Sequence, residues 1–195
     1  MDAAQFFLLR YEPLHGMMTD RLFAELTESQ LRARPQGQNS IAWLLWHVAR
    51  AEDIGVNAFA YDRPEVFDEG GWAKRIGSGR RDLGTSMTSD EVTAFSATAD
   101  VGALGDYWRA VGEGTLETIR RDGDHGWPEP VDPARMRHII CDTGDYGPRV
   151  DTARVQTFYA GMTRAWAFGH LALTHTFGHF SEAGVVRGML GYPGI

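Results

Sequence analysis

The sequence predicts an all-α fold: a four-helix bundle forming one domain over residues 1–195, with two long irregular connections. Three observations carry this expectation. Apolar residues recur at helical spacing in four stretches, no stretch alternates as a half-buried strand does, and no repeat of solenoid period appears. The chain has 195 residues, 43% hydrophobic and 11% aromatic, enough to bury a sizeable core and too apolar for a disordered chain.

The first helix is expected over residues 14–31, with Leu22, Phe23 and Leu26 on one side, ended by the Arg-Pro-Gln-Gly stretch at residues 34–37. The second starts at Asn39 or Ser40, either of which can accept a backbone N–H bond as a cap, and runs to about Phe59. Pro64 and a glycine-rich stretch over residues 70–84 then form a long connection, and long loops on a scaffold often carry function. The third helix opens at Thr88-Ser89-Asp90-Glu91, a cap followed by acidic residues. Val92, Phe95, Tyr107, Trp108, Val111 and Ile119 share its apolar side, and it fades near Asp122. Residues 123–149, rich in Pro, Gly and Asp, make the second connection. The last helix spans residues 163–190, after a short lead-in at residues 155–159, and Gly191 and Pro193 end it.

Charge and cysteine content narrow the function. A net charge of −7 argues against nucleic-acid binding, which needs concentrated positive charge. The arginines at Arg75, Arg80 and Arg81 are the one local cluster that could attract an anion, and they read first as a solvated loop. Cys141 is the single cysteine, so no internal disulfide can form; with no recognisable signal peptide, this favours a reducing cytoplasm. No run approaches the roughly 18 apolar residues of a membrane span.

The chemistry-bearing residues are histidines. His175 and His179 stand at i and i+4 on the last helix, on a stripe shared with Phe168, Leu171, Ala172, Gly178, Glu182 and Val186. His47 lies on the second helix among Ser40, Trp43, Leu44, Ala51 and Ile54, with Trp43 and Trp46 as bulk that keeps water out. An imidazole in such a stripe must find a partner or lose about 1–3 kcal/mol to desolvation. A shared metal ion would satisfy all three and leave open coordination positions. Gly178 would allow close approach of another element or a ligand. Taken singly, each histidine fits a hydrogen-bonded core residue; taken as a set they fit a metal site, and the pattern alone leaves both readings open. His170, five residues before His175, is expected about 140° away on a second packed face with Trp166, Leu173 and Phe177. His15, His125 and His138 fall in or near loops.

Rival motifs are absent. Thr176 stands where a zincin needs its glutamate. His179 and Glu182 give only a reversed form of the Glu-x-x-His pair of di-iron bundles. No Gly-x-Ser-x-Gly elbow occurs, and one cysteine cannot supply a structural zinc site.

The segments NSIAWLLWHVARAED at residues 39–53 and LALTHTFGHFSEAGVVRGMLG at residues 171–191, with TSMTSDE at residues 85–91, resemble the DinB-like superfamily. That group of four-helix bundles includes bacillithiol- and mycothiol-dependent transferases. The resemblance implies that His47, His175 and His179 are metal ligands, for zinc, nickel or a similar divalent ion. Ser181 replaces a glycine usual in the family, while Glu182 keeps the acidic position, where it would support a ligand imidazole. The resemblance further implies a homodimer, a small-molecule substrate and a low-molecular-weight thiol cosubstrate. The expected activity is a metal-dependent S-transferase or isomerase adding a thiol to a small electrophile, with residues 75–81 a candidate to hold anionic parts of the cosubstrate. The competing class is a non-catalytic, stress-linked metal-binding bundle that dimerises.

Overall fold

Every residue of the helix Ile41–Asp53 is buried, so the other elements must wrap around it. The computed structural model describes residues 1–22 and 25–192; Phe23 and Pro193, expected in the first helix stripe and after the last helix, lie outside the described residues. Four long helices form the bundle: α1, Ala3–Asp20; α2, Ile41–Asp53, continued by a π-helical stretch Ile54–Ala60; α3, Val101–Asp122; and α4. The last runs from Arg164–Ala167 through a π-helical stretch Phe168–Thr174 into His175–Met189. The expected all-α bundle is therefore what forms, and no strand occurs among the described residues beyond one isolated bridge, Pro130 with Thr163.

Both α1 and α2 pack against α3 and α4. Arg50 reaches Tyr107 and Arg63 reaches Thr118, so α2 and α3 run parallel, whereas His47 meets His175 and Gly55 meets Leu171, so α2 and α4 run antiparallel. A parallel neighbour can be reached only by returning the length of the bundle, and this is why a long connection follows α2. The connections are partly helical. The first holds the short helices Val66–Glu69 and Trp72–Ile76, and the second holds Pro133–Cys141 and Thr152–Tyr159.

Three element boundaries differ from the sequence expectation. The first helix begins at Ala3, where Asp2 and Gln5 form a reciprocal capping box, and Pro13 sits inside it. Residues 28–32 form a separate short helix capped by Thr27 and Gln30. The third predicted helix is two, Ser89–Thr98 and α3, because Ala99 is extended and Asp100 restarts the helix by accepting the Ala103 N–H at 2.8 Å.

Charges inside the core join the connections to α2. Arg50, fully buried, donates to Asp145 at 3.0 Å and pairs with Glu65 at 2.5 Å, and lies 3.5 Å from Asp53. Arg81 adds bonds to Asp145 at 2.8 Å, Glu65 at 2.9 Å and Asp68 at 2.5 Å. Buried charges persist only when paired in this way.

Candidate metal centre

Three side chains within about one turn of α2 reach the same piece of backbone. Trp46 Nε1 donates to the Asp82 carbonyl at 3.0 Å, His47 Nδ1 to the Leu83 carbonyl at 2.7 Å, and Arg50 Nε to the Arg81 carbonyl at 2.8 Å. Residues 81–83 are thereby pinned along the helix. The chain then turns at Gly84, which has φ +82° and lies over Trp43: a Cβ there would meet the indole nitrogen at 3.0 Å. That site suits glycine on both counts. Trp43 in turn stacks on His47, with centroids 4.9 Å apart and planes 9° apart. Trp46 points elsewhere, into the core with Phe67, Phe95 and Tyr107.

A carbonyl oxygen only accepts, so His47 Nδ1 carries the proton and Nε2 keeps its lone pair. Glu182 Oε2 takes the same part for His179 Nδ1, at 2.8 Å, and its other oxygen accepts from Asn39 Nδ2 at 3.2 Å. The hydrogen bond from His179 holds the Glu182 carboxyl below its usual range. His175 has no such support: its Nδ1 is buried without a hydrogen-bond partner. Burial first, then neighbouring His179, pushes His47 down to about 4, and burial with His47, His179 and His170 pushes His175 down to about 2. Both are neutral imidazoles at pH 7, the form that ligates metals.

The three rings converge. Centroids of His47, His175 and His179 lie 4.6 to 4.8 Å apart, and one nitrogen from each lies within 4.8 Å of the others. They could hold a metal ion. Two of the three have an outer acceptor fixing the tautomer that such ligands need, and the orphaned polar group on the third is the kind a metal relieves.

Beside the triad opens a cavity of about 690 Å³ whose lining includes His47, His170 and His175. The helical count puts His170 on a second packed face with Trp166, Leu173 and Phe177; it does pack on Trp166, but it also lies beside His175 in the cavity lining. Phe168–Thr174 is π-helical, and the His175 N–H bonds to the His170 carbonyl, so residues five apart lie one above the other. The ring centroids of His170 and His175 are 6.4 Å apart, and His170 stacks on Trp166 at 4.4 Å. Phe177, expected on a packed face, is 54% exposed. Gly178 is also exposed, with open space around it; the close approach is made by Gly55 against Leu171. His15 lies within α1, stacked on Trp108 at 4.3 Å.

The arginine cluster is not a solvated loop. Arg81 is taken up by Glu65, Asp68 and Asp145, Arg80 by Asp82 at 2.8 Å, and Arg75 covers the Trp72 ring at 3.6 Å. None of the three lines the cavity. Its cations are Arg149 and Arg154, from the second connection. The Arg154 backbone N–H bond to Asp151 marks the cap of Thr152–Tyr159, and the short helical lead-in expected at residues 155–159 is the part of this wall that the sequence signals.

Comparison with known families settles the chain's relationship. A family model described as the DinB superfamily matches residues 14–183. The chain belongs to the DinB superfamily. The fold of this DinB-superfamily member is shared by the crystal structure of a conserved protein from Enterococcus faecalis, with a TM-score of 0.73 at 17% identity, covering 98% of this chain and 99% of that one. No curated protein matches the sequence. No helix among the described residues is long and apolar enough to cross a membrane.

Proposed function

We propose that His47, His175 and His179 hold a divalent ion, zinc or nickel, and that the protein is a metal-dependent enzyme joining a small thiol to an electrophile. The observation that carries this reading is the position of the triad: two of its rings, His47 and His175, line an open cavity rather than a sealed core. Structural metal sites are closed, whereas catalytic ones keep a position for substrate. Three neutral imidazoles leave the ion's charge uncompensated, which favours an anionic ligand such as a thiolate.

A divalent ion bound there would deprotonate a thiol and serve as Lewis acid. The chain's own residues do the rest. Leu83 and Glu182 fix the orientation of His47 and His179 through their second nitrogens. Trp43 covers one face of His47. Ile54, Leu83 and Leu171 give the cavity an apolar wall beside the rings, and limiting water there keeps a thiolate reactive. No side chain is required as nucleophile, since the thiol supplies the sulfur.

The test is a thiol-conjugation assay on the metal-loaded protein with bacillithiol, mycothiol and glutathione against a small electrophile. Turnover that disappears on chelation supports the proposal; inactivity with all three thiols opposes it. The competing reading is a non-catalytic metal-binding bundle that dimerises; exposed Leu9 and Phe177, lining the groove between α1 and α4, offer an apolar face for a second copy. A homodimer through that face is compatible with either reading.

A further inference from the structure

The cavity beside the triad is lined unevenly. Ile54, Leu83 and Leu171 give it an aliphatic wall, and Tyr146, Phe158 and Tyr159 from the second connection and its helix an aromatic one, with the Phe158 and His170 ring centroids 5.6 Å apart. Its charged lining consists of Arg149, Asp151 and Arg154. Two of these are occupied. Arg149 donates to the Ser86 carbonyl at 3.0 and 2.9 Å and pairs with Glu91. Asp151 accepts the Arg154 backbone N–H at 3.1 Å as the cap of Thr152–Tyr159. The Arg154 guanidinium has neither a hydrogen bond nor an ion pair among the described residues. An exposed cation without a protein counterion, in the lining of a largely apolar cavity, can receive an anion carried by an apolar ligand.

Resting on the reading of the triad as a metal site beside a substrate cavity, we infer that Arg154 selects the substrate: the cavity takes a small, flat, apolar molecule carrying a carboxylate. The arrangement gives such a ligand two anchoring ends. Its body lies against Phe158, Tyr159 and Leu171, its reacting end faces the histidines, and its carboxylate faces Arg154. Guanidinium and carboxylate match as planar bidentate partners, so a neutral isostere of the same shape would lose the outer anchor while keeping the apolar contacts.

The experiment compares 4-(sulfanylmethyl)benzoate with its uncharged carboxamide by isothermal titration calorimetry. The full chain is used, both zinc-loaded and after chelation, as wild type and as Arg154→Gln. Arg154 is exposed, so the variant folds. In wild type the carboxylate binds about ten-fold more tightly than the amide, a difference of about 1.4 kcal/mol. Arg154→Gln removes that preference and leaves amide affinity unchanged. Equal affinity for the two probes in wild type, or an equal loss for both in the variant, overturns the inference. Zinc loading reports separately on the metal reading, by tightening both thiols in wild type and variant alike. An acid-over-amide preference that persists without any gain from zinc would keep the role of Arg154 and discard the metal.

Discussion

Gly55→Ala should separate α2 from α4 at the site. A Cβ on residue 55 would lie 2.7 Å from Leu171 Cβ, 2.7 Å from its Cδ1 and 3.3 Å from its Cγ. Carbon contacts are optimal at about 3.5–4.0 Å, so the nearest pairs overlap by about 1 Å. Rotating Leu171 can relieve the two outer contacts but not the one at Cβ, which moves only with the backbone. The helices must therefore part, at a cost of about 1–3 kcal/mol. Leu171 stands four residues before His175 and lines the cavity, so the same displacement draws His175 from His47 and weakens metal binding. Urea denaturation measures the first effect and competitive zinc titration the second. A double-mutant cycle sharpens the test: Leu171→Ala alone should cost about 2–5 kcal/mol by leaving a cavity, and adding Gly55→Ala should cost at least about 1 kcal/mol less than the sum, because the new methyl fills part of that space. Additive effects, or a Gly55→Ala protein as stable as wild type, would refute the close-approach argument.

Other substitutions probe the rest of the site and its support. Glu182→Gln keeps the shape beside His179 but removes the ionised acceptor of its Nδ1–H, and zinc affinity should fall about 10–100-fold by competitive titration. Asp145→Ala leaves Arg50 and Arg81 each short of a buried partner and should lower unfolding free energy by about 3–5 kcal/mol in urea. Glu52, buried against Tyr11 and Thr115, has its carboxyl pushed up to about 8 by burial. The native state thus holds this proton where the unfolded chain has lost it, so the Glu52 contribution to stability is greatest below about pH 4.5 and declines as pH rises to about 8, by on the order of 1 kcal/mol per pH unit. Glu52→Gln should remove that slope from denaturation curves at pH 5 to 8; an unchanged slope contradicts the assignment.

The parts of this protein legible in its sequence are those governed by the regular α-helical period. His175 and His179 were placed on one face by their spacing, His47 among apolar neighbours by its own helix, and the structure brings the three together. Where the period changes, the reading fails. The π-helical Phe168–Thr174 turns His170 onto the face of His175, a shift that no count at 100° per residue reveals. Long-range partners were equally hidden. Arg81 carries the charge of an exposed loop residue, yet Glu65 and Asp145 hold it, and the Arg50, Glu52 and Asp53 charges within the second helix are buried because both connections and α1 and α3 supply their partners. The cavity wall from Tyr146 to Tyr159 came from a segment read chiefly as connection, since a pocket is a product of packing and leaves little periodic trace in the chain.

Elemental analysis of the purified protein tests the central claim most directly. Wild type, after loading with zinc or nickel and removal of excess ion, should retain close to one equivalent of metal per chain, and His47→Ala and His175→Ala should each lose most of it while keeping a helical circular-dichroism spectrum. Wild type that stays metal-free, or a His175→Ala protein that retains full metal, would contradict the account.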